Sequence, residues 1–323
     1  MCYRLYILMK RIPTLDGWRG IAILLVVACH AGPIVTNSHR LWWRFTIGVD
    51  LFFAISGLLI TSTLLYDDRL DTFYIRRAFR ILPAALLYLA VVAAFRGYSG
   101  RIELISCLSF WRNYLPQSQD WVLTTHFWSL SVEEQFYLLW PAAFVIFRNR
   151  RVEFLQVAIL IVNVWRWLTL AYSPIYALHH TQFCADGLMW GCMAAFISER
   201  KVPRWLWWSA LLVAPLTYQR PTLMFIMPAL LMVLILGTAQ NLDPRVSRVL
   251  EWRPLVWVGK RSYGIYLWQQ FFLFAALGWP LWVRLVALFV STALLYRFFE
   301  LPLQNLGRFL ATQARTAQAV TSL

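Results

Sequence analysis

Residues 17–35 read GWRGIAILLVVACHAGPIV. This is an apolar run of about the 20 residues that an α-helix needs to cross a hydrocarbon core of roughly 30 Å. It carries an arginine near one end and a histidine toward the other. Comparable runs recur at 46–66, 81–98, 128–147, 152–172, 183–198, 205–219, 222–238, 255–277 and 280–299. The pattern predicts an all-α, polytopic membrane protein with about ten transmembrane helices. Composition agrees: 60% of the 323 residues are hydrophobic and 14% charged, whereas soluble domains average roughly 45–50% and 25%. The chain 1–323 is expected to form one integral-membrane domain, with residues 1–10 and 308–323 as polar or disordered ends. Residues 102–114 are too short and interrupted to span and read as an interfacial helix. No internal repeat is visible, which weakens an inverted-repeat transporter reading.

A formal charge of +15 would point to nucleic acid in a soluble protein. Placed on the span list, the basic residues instead sort by side. Arg40, Arg44, Arg96, Arg101, Arg112, Arg166, Arg220 and Arg284 fall on the outer side, and the other 22 of 30 fall on the inner one. By the positive-inside rule, both termini are cytoplasmic, and the basic balance reports orientation rather than a nucleic-acid partner. Paired indoles such as Trp42-Trp43 and Trp207-Trp208 fall near span ends, where belt or packing roles suffice to explain them.

Cys2, Cys29, Cys107, Cys184 and Cys192 form no CxxC pair, and free thiols are expected. The apolar run Leu5 to Met9 is too short for a cleavable signal peptide. Met9-Lys10-Arg11 reads as a more natural start than Met1.

Ionisable groups inside spans are costly and therefore informative. His30, Asp50, Glu133 and Glu134 are all predicted in the outer third of the bilayer, with Arg166 and Asp186 at a similar depth. For Arg166 and Asp186 an interhelical salt bridge is at least as good a reading as function. An imidazole such as His30 suits proton acceptance near neutral pH. Arg19 and His30 stand eleven residues apart, about three whole turns and roughly 16 Å, so they share a helix face. That is close to the reach of a pantetheine arm. Arg76, Arg77 and Arg80, in YIRRAFRILP just before the third span, form a cytoplasmic cluster suited to phosphate. A CoA held there could present its thioester near His30. Topology alone also accounts for such a cluster.

At this point several segments resemble one family in order along the chain. They are LDGWRGIAILLVVACH (15–30), GVDLFFAISGLLIT (48–61), RRAFRILP (76–83), FWSLSVEEQFYLLWP (127–141), SYGIYLWQQ (262–270) and FFELP (298–302). The resemblance is to the membrane acyltransferase-3 family of O-acyltransferases. It implies ten helices in a bacterial cytoplasmic (inner) membrane, acyl-CoA, with acetyl-CoA first, as cytoplasmic donor, and an outer acceptor. The acceptor would be a hydroxylated cell-surface glycan, a lipid-linked saccharide or a glycosylated metabolite, and no metal is expected. Within the motifs, Ser131, Glu133, Tyr263 and Gln269 are further site candidates. The sequence departs from many relatives at Gln269, where they carry His, and near Cys184, where they carry Arg ahead of Asp186. The hydrolase-like outer domain of many relatives is missing, so any second step is expected to need a separate protein.

The expected mechanism has Arg76, Arg77 and Arg80 on the CoA phosphates and Arg19 steadying the donor. His30 acts as general base or transient acyl carrier, with Asp50 or Glu134 orienting its ring. Ser56 as an acylated nucleophile is disfavoured, because a Ser-Gly pair in a membrane helix more often serves close packing. The competing class is a proton-coupled transporter or lipid flippase using the buried His, Asp and Glu as a relay.

Overall fold

A computed structural model describes residues 13–38, 42–96, 101–116, 122–170, 179–217, 225–240, 243–275 and 278–321. They fold as helices, with no strand among the described residues. In chain order the helices are α1 (Pro13–Thr36), α2 (Ile47–Tyr66), α3 (Leu70–Arg96), α4 (Arg101–Leu108), α5 (Phe127–Ile146), α6 (Arg151–Leu170), α7 (Thr181–Cys184), α8 (Asp186–Phe196), α9 (Arg204–Thr217), α10 (Met227–Ala239), α11 (Pro244–Leu250), α12 (Arg253–Lys260), α13 (Ser262–Gln270), α14 (Leu281–Leu295) and α15 (Leu301–Thr321). Two π-helical stretches, Phe271–Ala275 and Tyr296–Glu300, continue α13 and join α14 to α15.

Among the described residues, five segments are long and apolar enough to cross a membrane: Pro13–Thr36, Arg44–Tyr66, Leu70–Arg96, Arg151–Thr169 and Leu281–Thr316. The helices in the predicted sixth to eighth spans are shorter, with 11, 14 and 13 residues in α8, α9 and α10.

Helix α2 packs most closely against α8, and glycine makes the approach possible. A Cβ at Gly57 would lie 1.9 Å from the Leu188 carbonyl oxygen, and one at Gly191 would lie 2.1 Å from that of Ala54. In lipid, where apolar contact with a neighbouring helix is little better than contact with acyl chains, such backbone approach is a main source of helix association. Around this pair one apolar core gathers α1, α2, α8, α9 and α10, including the fully buried Trp207. A second gathers α3, α5 and α13 around Tyr88, Phe127 and Trp140.

Three local expectations change. The third helix starts at Leu70 and runs through Pro83 without a break. Arg76, Arg77 and Arg80 therefore sit inside a continuous helix, not ahead of one. A membrane helix tolerates the proline because packed neighbours satisfy the freed backbone. The interfacial segment is limited to α4 and a 3-10 turn at Arg112–Tyr114. It is also packed: Glu103, Arg112 and Asn113 are buried, and Arg96 lies 3.7 Å from Glu103. Residues 308–321, expected as a polar or disordered end, continue α15. Ala311 is fully buried there, and Arg69 donates to the carbonyls of Ala314 and Arg315. Residues 1–10, including Cys2, lie outside the described residues, and the other four cysteines are free thiols.

Candidate active site

A cavity of about 450 Å³ opens between α1, α2, α3, α5, α13 and α15. Its lining carries five guanidinium groups, Arg19, Arg76, Arg77, Arg80 and Arg308, and one carboxylate, Glu133. Arg308 is exposed and marks the mouth. Ser129 and Tyr266, both buried, line the far end. The walls between are apolar, with Phe52, Phe53, Leu59 and Ile60 among them. Arg308 and Tyr266 went unnoticed in the sequence. The first lay in the presumed polar tail, while Tyr266 follows Tyr263 by one helical turn and so shares its face.

Arg77 organises the inner part of this cavity. Its guanidinium stacks 3.4 Å from the Tyr137 ring centroid. It lies 4.0 Å from Glu133 and 3.9 Å from Glu134. Glu133 also accepts a hydrogen bond from Ser56 at 2.9 Å. Arg19 and Arg80 lie within electrostatic reach of Glu133, and Arg80 of the buried Glu300. Tyr263 lines the cavity and donates to the Ile81 carbonyl at 2.8 Å. The Nε of Arg76 is buried without a hydrogen-bond partner, and that of Arg77 faces Glu134 at 3.9 Å without bonding it; guanidinium groups lining a cavity suit phosphate oxygens.

His30 does not line the cavity. Its Nδ1 lies 2.9 Å from the Val26 carbonyl oxygen. A carbonyl can only accept, so Nδ1 carries the hydrogen and Nε2 of the neutral ring keeps its lone pair. The amide of Gln269, fully buried, faces this ring without completing a hydrogen bond. His126, just before α5, lies within electrostatic reach of His30. Like Arg308 and Tyr266, it is a site residue that the sequence alone does not reveal. It stands two positions outside the predicted fourth span, where a boundary error of a few residues hid it. Tyr266 connects the two regions: its hydroxyl hydrogen-bonds Ser129 and donates to the His126 carbonyl, each at 2.6 Å.

The expected convergence of carboxylates on His30 does not occur. Asp50 has Asp186 and Arg166 as its charged neighbours, and no hydrogen bond or ion pair joins it to His30. Arg166 itself pairs with Asp186 and donates to the Phe183 carbonyl. Glu134 pairs with Arg77. Neither Asp50 nor Glu134 therefore orients the His30 ring; the Val26 carbonyl does. For the glutamates the cause is depth, since Glu133 bonds Ser56, about 9 Å along α2 from Asp50; for Asp50 it is azimuth. Asp50 and Ser56 are six residues apart on α2, so they point about 120° away from each other, one toward α8 and the other toward α5. Ser131 is fully buried in α5 with its hydroxyl unpartnered, off the cavity lining. Among the described residues, no group of three His, Cys, Asp or Glu side chains could hold a metal ion.

Comparison with known proteins adds a family and relatives. A family described as an acyltransferase domain matches residues 12–299. The chain is 28% identical over 360 aligned positions to a peptidoglycan O-acetyltransferase of Listeria monocytogenes, covering 92% of this chain and 56% of that protein. It is also 28% identical, with the same coverages, to a Bacillus subtilis protein provisionally named a peptidoglycan O-acetyltransferase. A Staphylococcus aureus protein provisionally named an O-acetyltransferase is 28% identical, covering 93% of this chain and 58% of that one. The chain thus spans little over half the length of these relatives. No solved structure matches it.

Proposed function

The chain belongs to the acyltransferase-3 family, and on that premise we propose that it moves an acyl group, acetyl in the first instance, from cytoplasmic acyl-CoA to a hydroxyl of a cell-surface glycan. The enzyme class follows from the family; donor, acceptor and membrane are the proposal. The observation that carries it is the arginine-lined cavity whose far end, at Tyr266, abuts the turn bearing His126, close to His30. In this reading the protein crosses the bacterial inner membrane about ten times with both termini inside, so that the mouth at Arg308 faces the cytoplasm.

The CoA phosphates rest on Arg76, Arg77, Arg80 and Arg308, where planar guanidinium groups bind phosphate oxygens in pairs. Arg19, one wall of the cavity, steadies the arm. The apolar walls exclude water from the thioester. Beyond Tyr266, His30 Nε2 takes the proton of the acceptor hydroxyl as its oxygen attacks the acyl carbon. Tyr266 must swing to let the thioester pass, and its two hydrogen bonds are small enough to break on binding. The relatives' names point to peptidoglycan as acceptor. A transporter gains no support: five charged side chains, those of Arg19, Arg76, Arg77, Arg80 and Glu133, line one cavity.

The test is purified protein in liposomes with acetyl-CoA on the mouth side and soluble peptidoglycan fragments on the other. Free CoA thiol and an alkali-labile acetyl ester on the glycan are expected. No CoA release on either orientation would sink the reading.

A further inference from the structure

His126 is only 2% exposed, yet neither of its ring nitrogens completes a hydrogen bond, the Leu267 carbonyl being the backbone acceptor nearest the ring. Gln269 is fully buried, and its amide faces the His30 ring without either atom completing a hydrogen bond of good geometry. Four unmet polar atoms therefore sit on two side chains, from the turn before α5 and from α13, and both side chains neighbour His30 on α1. Leaving a buried polar atom unmet is costly. A packing role would not ask for that. The cage around His126 is aromatic, with Tyr88, Phe127 and Tyr266 centroids at 5.4, 5.0 and 5.3 Å. Phenylalanine would fill it at no polar cost. Unmet donors of this kind await a polar group that is present only during turnover.

The next question is which group. Attack on a thioester throws negative charge onto the carbonyl oxygen, and preorganised N–H donors there are commonly the largest single catalytic contribution. His30 has its Nδ1 engaged and offers a base, not a donor. His126 must stay neutral throughout, because a buried ring beside an imidazole that is itself taking a proton has no means of carrying a second positive charge. A neutral imidazole supplies one N–H, and the Gln269 amide supplies two more.

We infer that His126 and Gln269 donate hydrogen bonds to the oxyanion formed when the acyl carbon is attacked, with His30 as the base; this rests on the acyl-transfer reading above. The acceptor oxygen bonds to the acyl carbon, and the C=O π pair moves onto oxygen between the His126 N–H and the Gln269 Nε2. The acceptor proton passes to His30 Nε2. Collapse re-forms C=O and breaks C–S, and the sulfur keeps the electron pair and takes the proton back from His30. The products are an O-acyl ester and CoA thiol, with no net redox change.

The experiment uses the full chain in detergent with acetyl-CoA and soluble peptidoglycan fragments, following CoA release. Removing one oxyanion donor typically costs 10²–10³-fold in kcat. His126→Phe and Gln269→Met should each lose about 10²-fold in kcat, with KM for acetyl-CoA within about twofold. His126→Gln restores a donor and should stay within about tenfold of wild type, with the pH–rate profile unmoved. His126→Phe at wild-type turnover overturns the inference. So does His126→Gln as inactive as His126→Phe, which would make His126 a proton carrier. If His126→Phe does not fold, as shown by loss of acetyl-CoA binding, Gln269→Met decides: wild-type turnover there overturns the pair. A wild-type protein that releases no CoA defeats the acyl-transfer reading itself, and is distinguished before any variant is made.

Discussion

Replacing Arg77 with alanine should destabilise the fold as well as weaken donor binding, and the size of the effect follows from its surroundings. Arg77 is the cation nearest two carboxylates, at 4.0 Å from Glu133 and 3.9 Å from Glu134. At such distances and an effective dielectric of about 20, each pairing contributes roughly 4 kcal/mol before desolvation is subtracted. The alanine variant leaves both carboxylates without their closest partner, the situation that typically costs 3–5 kcal/mol. The side chains keep 21%, 18% and 14% exposure, and Arg19 and Arg80 partly replace the lost charge. The low end, about 3 kcal/mol, is therefore expected. At about 2 °C per kcal/mol for a large domain, detergent-solubilised protein should melt about 6 °C lower. Adding Glu133→Gln should recover about half of that loss, because the variant then has one fewer orphaned charge. Arg77→Lys should recover most of the stability but little acyl-CoA affinity, since an ammonium can neutralise the carboxylates but cannot bind phosphate in the paired geometry. An Arg77→Ala protein with unchanged melting and no effect of the second substitution would refute the ion-pair argument and leave Arg77 a free phosphate ligand.

His30→Gln should abolish acyl transfer while acetyl-CoA binding, measured by calorimetry, persists; retention of more than about a tenth of turnover would remove the base from His30, because loss of a general base usually costs 10²-fold or more. An alkaline-phosphatase fusion after Arg315 should be inactive and one after Gln117 active; the reverse pattern would invert the topology. Gly57→Ala should prevent normal accumulation in the membrane, since its Cβ would lie 1.9 Å from the Leu188 carbonyl, whereas Gly278→Ala meets nothing within 4 Å and should leave expression and melting unchanged. Equal behaviour of the two glycine variants would contradict the close packing of α2 on α8.

How far the site could be read beforehand follows from what a membrane helix encodes. Depth is legible only in part: residue number times about 1.5 Å sets Glu133 level with His30 and Asp50, whereas it bonds Ser56, six residues along α2 from Asp50, and faces Arg77 and Arg19 rather than His30. Azimuth is not legible, because a helix that is apolar all round has no polar face to mark which side meets which neighbour. Asp50 was therefore grouped with His30 when α2 turns it toward the Arg166–Asp186 pair. The arginines of α3 are legible as a cluster, but their carboxylate partners on α5 are not, since the pairing of Arg77 with Glu133 is made across 56 residues of chain. Glu300 and Arg308 share this history: each lies in or beyond the last apolar run, and only the packing of α15 on α3 carries them to the cavity. The residues that escaped notice were thus those whose significance lies wholly in a contact between helices. His126 is the sharpest case. In the chain it is one polar residue at the edge of an aromatic run, and only the return of α13 against the turn before α5 makes its two nitrogens both buried and unmet. A polar group that the fold encloses and then leaves unsatisfied is a stronger sign of function than one the sequence merely places in the bilayer, because every alternative packing could have avoided the cost.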